Sequence, residues 1–136
     1  MDDDELQRIR EKKILELQGK MEHKNISGVI PVDQAGFPQL IEKNPFVVID
    51  FWAEWCGPCR MVGPVIEELA REFGGKIVFG KCNTDYNQRL AAHYGITAIP
   101  TILLFSHGRM VDRVIGAYPK DALKSRIKRA FSMESE

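Results

Sequence analysis

The sequence has no apolar run near the roughly 20 residues that cross a bilayer as a helix, which excludes a membrane-spanning helix. It also has no net charge: 19 Lys and Arg stand against 19 Asp and Glu. Nucleic-acid and anionic-membrane partners draw on a basic excess that is missing here, so neither is expected. Cysteine is scarce, with three in 136 residues, an odd number unlike a secreted disulfide framework. A zinc centre needs about four ligands. Beyond one close cysteine pair, the chain offers only Cys82 and the scattered His23, His93 and His107, so no metal is expected. Repeats and low-complexity segments are absent. The opening Met1-Asp2-Asp3-Asp4-Glu5 is acidic where a secretory signal is basic and then apolar, which predicts a cytoplasmic protein.

What is present suits one domain. Its 44% hydrophobic content can fill one core without staples. Residues 2–24 differ from the rest, being dense in charge and free of aromatics and proline. On a helical wheel Leu6, Ile9, Ile14, Leu17 and Met21 share a broad face. Asp2 to Asp4 suit the positive end of a helix dipole, and Lys20 and Lys24 its negative end. Residues 1–27 therefore read as a charged amphipathic helical extension with its linker, and residues 28–136 as the domain.

Strand and helix signals alternate through the domain. Residues 29–32 suggest a short strand and 34–42 a helix. Phe46-Val47-Val48-Ile49-Asp50-Phe51-Trp52 is apolar throughout except for one acid, the pattern of a strand covered on both faces. Met61, Val65, Leu69 and Phe73 recur every fourth residue as a helix stripe, with Pro64 expected to kink it and Gly74-Gly75 to end it. A strand over 76–82 and a helix over 87–94 follow. Residues 101–106, a His107-Gly108 turn and residues 110–115 read as an antiparallel edge hairpin. A last helix begins near Pro119 in its first turn, with Leu123, Ile127 and Phe131 as its apolar face. This order predicts an α/β domain with a mixed sheet.

Cys56-Gly57-Pro58-Cys59 falls where the central strand hands over to a helix. A cysteine at a helix N-terminus is favoured as thiolate, the reactive form, by unpaired N–H groups and the helix dipole. Cys59 is three residues on, about 5–6 Å away at Cβ, close enough to bridge. Gly57 lets another backbone approach, and Pro58 fits the first turn. Such a pair supports a two-step exchange. Cys56 attacks a disulfide, and Cys59 then attacks the Cys56 sulfur to release the reduced product.

Asp50-Phe51-Trp52-Ala53-Glu54-Trp55-Cys56-Gly57-Pro58-Cys59 resembles the active-site signature of the thioredoxin family. So do Gly95-Ile96-Thr97-Ala98-Ile99-Pro100-Thr101 and Ile115-Gly116-Ala117, and the resemblance spans about residues 28–131. It implies a thioredoxin fold, a central mixed sheet with helices on both faces, here extended by the N-terminal helix. The implied activity is protein-disulfide reduction by a dithiol electron carrier. The implied partners are disulfide-containing proteins and a thioredoxin reductase as electron donor, with no cofactor beyond the redox-active Cys56–Cys59 disulfide and the chain acting as a monomer.

Residue by residue, the resemblance implies a cis Ile99–Pro100 peptide beside the cysteines. It also implies a flat groove from Trp55, Gly57, Pro58, Ile99, Pro100, Gly116 and Ala117, onto which a substrate strand can pair. Asp50 would take the Cys59 proton, with burial raising its pKa, and Lys81 would lie near it. Cys82 alternates with Lys81 and should be buried on the opposite face. Two rivals are an oxidase or isomerase on the same fold and a binding module that leaves the thiols idle. Gly-Pro between the cysteines goes with the family's reductases, and the retained pair opposes the binding module.

Overall fold

The computed structural model describes residues 28–133, so the helix expected over residues 2–24 lies outside the described residues. The elements in chain order are β1 (Val29–Pro31), α1 (Phe37–Lys43), β2 (Phe46–Trp52), α2 (Gly57–Phe73) and β3 (Val78–Asn83). A short 3-10 turn (Thr84–Tyr86), α3 (Gln88–His93), β4 (Thr101–Ser106), β5 (Arg109–Ile115) and α4 (Lys120–Ala130) complete them.

The apolar run of β2 places it in the sheet centre, in the order β1-β3-β2-β4-β5. It pairs parallel with β3 and antiparallel with β4, so the sheet is mixed. Residues 47–51 are all buried, and alternation sends them to two cores. Val48 faces Val62, Ile66 and Leu69 of α2 and Leu123 and Ile127 of α4. Val47, Ile49 and Phe51 face Phe37 of α1 and Leu90 of α3. Each fully buried side chain of this size contributes roughly 1.5–3 kcal/mol. Helices thus cover both faces, as the resemblance implies.

Several boundaries differ from the sequence expectation for local reasons. α1 starts at Phe37 rather than residue 34, because the Asp33 carboxylate accepts the Gly36 N–H at 2.7 Å and holds a turn there. The Lys76 N–H bonds the Phe73 carbonyl at 3.1 Å, so the chain is still leaving α2 where a strand was expected. Pro119 caps α4 from outside with extended backbone instead of opening its first turn.

The stripe on α2 also needs correction. Met61 is 72% exposed, and the buried face runs through Val62, Ile66, Leu69 and Phe73. A strict four-residue repeat drifts by about 40° per step around a helix of 3.6 residues per turn. It therefore cannot follow one face for long. α2 runs through Pro64 and ends at Gly74, whose φ of 57° is the left-handed value expected of a helix stop.

Candidate active site

The carboxyl ends of β2 and β3, the start of α2 and the loop before β4 meet at the cysteines. Cys56 is the N-cap of α2 and is disulfide-bonded to Cys59, with Cα atoms 5.3 Å apart. The Cys59 backbone N–H points at Cys56 Sγ from 3.2 Å. That donor would hold a thiolate at Cys56 once the bridge is reduced. Both cysteines are only 4% exposed, so a partner must come up against their rim to reach the sulfurs. Gly57 and Pro58 form exposed rim.

The Ile99–Pro100 peptide is cis, and the Ile99 carbonyl oxygen lies 3.7 Å from Cys56 Sγ. Pro100 in turn accepts the Gly116 N–H at 2.8 Å, which ties the end of β5 to this loop. Gly116 has φ of 101°, a value other residues rarely adopt. Ala117 follows it on the surface. Trp55 is 70% exposed, and its indole N–H donates to Asp85 at 3.1 Å. A cleft of about 350 Å³ is lined by Trp55, Thr84, Ile96, Thr97, Ala98 and Ile99.

Asp50 lies behind the pair. It is 3% exposed, and its Oδ1 has no hydrogen-bond partner among the described residues. Burial pushes its carboxyl up to about 7, opposed by the Lys81 charge. Asp50 and Lys81 sit opposite each other in the β2–β3 register. They do not form an ion pair, and Lys81 Nζ lies 5.6 Å from the Trp52 ring centre, a cation–π distance. Asp50, Cys59 and Lys81 line a second cleft of about 360 Å³. A carboxyl near neutrality that shares a cleft with Cys59 can exchange a proton with it.

Cys82 is fully buried in the core opposite this cleft, and burial, with the Asp33 charge, pushes its thiol up to about 11. Among the described residues no group of three side chains could hold a metal ion. Sequence reasoning missed Asp85, Arg60, Gly63 and Glu67. Asp85 reaches Trp55 across 30 residues, and no local pattern encodes such a contact. The other three follow from helix phase once Cys59 is fixed, since residues 59, 63 and 67 succeed one another at four-residue spacing and Arg60 lies three before Gly63.

The family model described as Thioredoxin matches residues 28–129. The chain is 50% identical over 105 residues to the thioredoxin of Pyropia yezoensis, covering 76% of this chain and 98% of that protein. It is 44% identical to thioredoxin 1 of Nostoc sp., with the same coverage. Among solved structures, a mutant thioredoxin from Halobacterium salinarum superposes with a TM-score of 0.74 at 35% identity, covering 82% of this chain and 97% of that one. A chain from work on thiol resolution in yeast mitochondrial 1-Cys peroxiredoxin, through the glutathione and thioredoxin systems, gives 0.69 at 32% identity, over 77% and 98%.

Proposed function

Because this chain belongs to the thioredoxin family, we propose that it acts as a protein-disulfide reductase through Cys56 and Cys59. The observation that carries the reading is the placement of Cys56 Sγ at the N-cap of α2, facing the Cys59 N–H, with Cys59 within bridging distance. In the reduced protein the Cys56 thiolate attacks one sulfur of a substrate disulfide. A Cys56–substrate bond forms, the substrate S–S bond breaks, and the other substrate sulfur leaves as a thiolate.

Cys59 then loses its proton to the Asp50 carboxylate, and its thiolate attacks the Cys56 sulfur. The Cys56–Cys59 bond forms, the second substrate sulfur departs, and two electrons have passed to the substrate. A carboxyl near 7 is matched to taking a proton at neutral pH. Lys81 keeps that carboxyl from rising further, since its positive charge favours the carboxylate.

The substrate lies in extended form against the Ile99 backbone, between Trp55, Gly57, Pro58, Gly116 and Ala117, with Pro100 beneath. Backbone pairing gives sequence-tolerant affinity, which suits a reductase with many targets. No cofactor enters beyond the cysteine pair, and an NADPH-dependent flavoprotein reductase restores the dithiol. Residues 28–136 form the acting domain, as a monomer, and residues 1–27 an extension. A reducing compartment, the cytoplasm, is where such a pair stays in its working state.

The test is turbidimetric reduction of insulin disulfides by dithiothreitol, with and without the protein. Wild type accelerates the reaction and Cys56→Ser does not. No acceleration by wild type would refute the reading.

A further inference from the structure

The cleft beside Asp50 holds more than the pair it serves. Two buried polar atoms on its walls, Asp50 Oδ1 and Trp52 Nε1, have no partner among the described residues. Buried polar groups are satisfied by protein or by ordered water, and at about 360 Å³ the cleft has room for several waters. Its outer wall is α2. Cys59, Gly63 and Ile66 succeed one another along the face turned to Asp50, and all three line the cleft. A Cβ built on Gly63 meets nothing within 4 Å, so the backbone there tolerates a side chain. A glycine in a helix interior is less favourable than alanine there. Gly63 thus has a helix-propensity penalty that packing does not require.

We propose that Gly63 is a positioning residue for the resolving step, leaving open the water path by which the buried Asp50 carboxyl exchanges the Cys59 proton with solvent. The inference rests on the exchange reading above. The charges around the path are Lys81 on β3, Glu54 in the loop after β2, and Arg60 and Glu67 on α2. Arg60 is held aside, donating to the Glu54 carbonyl at 3.0 Å. From β1 the wall is the apolar Val29. The proton Cys59 gives up moves to Asp50, then to water in the cleft, and finally to solvent. A larger side chain at 63 displaces that water, disfavours the carboxylate further, and leaves less base at neutral pH.

The experiment is a single-turnover stopped-flow reaction of the reduced protein with a small aromatic disulfide whose released thiolate is coloured. Its first phase reports attack by Cys56 and its second reports resolution by Cys59. In Gly63→Leu the first phase keeps its wild-type rate. The second slows about tenfold at neutral pH, a fraction of the 10²–10⁴ that a positioned base supplies. Its pH midpoint rises by about one unit.

Gly63→Ala gains the same helix propensity, retains most of the space, and slows resolution far less. In an Asp50→Asn background Gly63→Leu has no further effect on resolution, because its action runs through Asp50. An unchanged second phase and midpoint in Gly63→Leu would overturn the inference, as would equal slowing in the Asp50→Asn background. If wild type releases fewer than two thiolates per protein, the exchange reading itself fails and the inference falls with it.

Discussion

Asp50 is a buried acid that the fold tolerates at a loss, and the loss depends on pH. Its carboxyl sits near 7 in the folded chain against an ordinary 3.8, because the ionised form is stripped of water at 3% exposure. The folded state therefore holds this proton more tightly than the unfolded state. The stabilising effect of that proton is fully present below the unfolded value and lost as pH rises through the folded one. At 1.36 kcal/mol per pH unit, the gap of about three units takes roughly 4 kcal/mol from the folded domain between about pH 4 and pH 8.

Asp50→Asn cannot ionise and escapes this loss. The amide has nearly the shape of the protonated acid and likewise buries polar atoms, so its packing offset is the same at every pH. The slope with pH carries the test. Urea unfolding of both oxidised proteins should give a stability difference that moves in favour of the variant by about 4 kcal/mol from about pH 4 to about pH 8.5, with unchanged m. A difference that stays flat with pH, or moves against the variant, would refute an ionisable buried Asp50.

Three further outcomes follow from the same structure. In the two-phase thiolate-release assay, Asp50→Asn slows resolution by about two orders of magnitude or more and leaves attack by Cys56 within about twofold; equal slowing of both phases contradicts the base role. Gly80→Ala lowers stability by about 1–3 kcal/mol in urea unfolding, because the added Cβ would sit 2.5 Å from Val32 Cγ2 and 3.0 Å from Ile49 Cδ1; an unchanged unfolding midpoint contradicts that packing. A thiol reagent applied to the reduced native protein modifies Cys56 quickly and Cys82 only on unfolding, as its complete burial requires; rapid labelling at Cys82 contradicts it.

The parts of the fold that were legible in the sequence are those where local pattern and tertiary need coincide. The run 46–52 needed no partner information, since a strand covered on both faces is apolar at nearly every position. The Cys-Gly-Pro-Cys junction was equally plain, because a helix start, a close pair and a first-turn proline agree there. Boundaries were less legible where a side chain intervened, as Asp33 does before α1. The Met61 stripe failed because a repeat of four only imitates helix phase. Lys81 was placed near Asp50 by resemblance, yet its ammonium leans over Trp52, a tertiary preference with no local signature. Asp85 under Trp55 became visible only when distant segments met.

The exchange rests on a division of labour: Cys56 attacks and Cys59 resolves. Its most direct test is to mix reduced Cys59→Ser and Cys56→Ser variants, separately, with a disulfide-containing protein such as insulin, quench with acid, and map the adducts by mass spectrometry. Cys59→Ser should accumulate a mixed disulfide through Cys56, because the group that would release it is gone, and Cys56→Ser should accumulate none. A stable adduct through Cys59, or no adduct in Cys59→Ser, would contradict the claim.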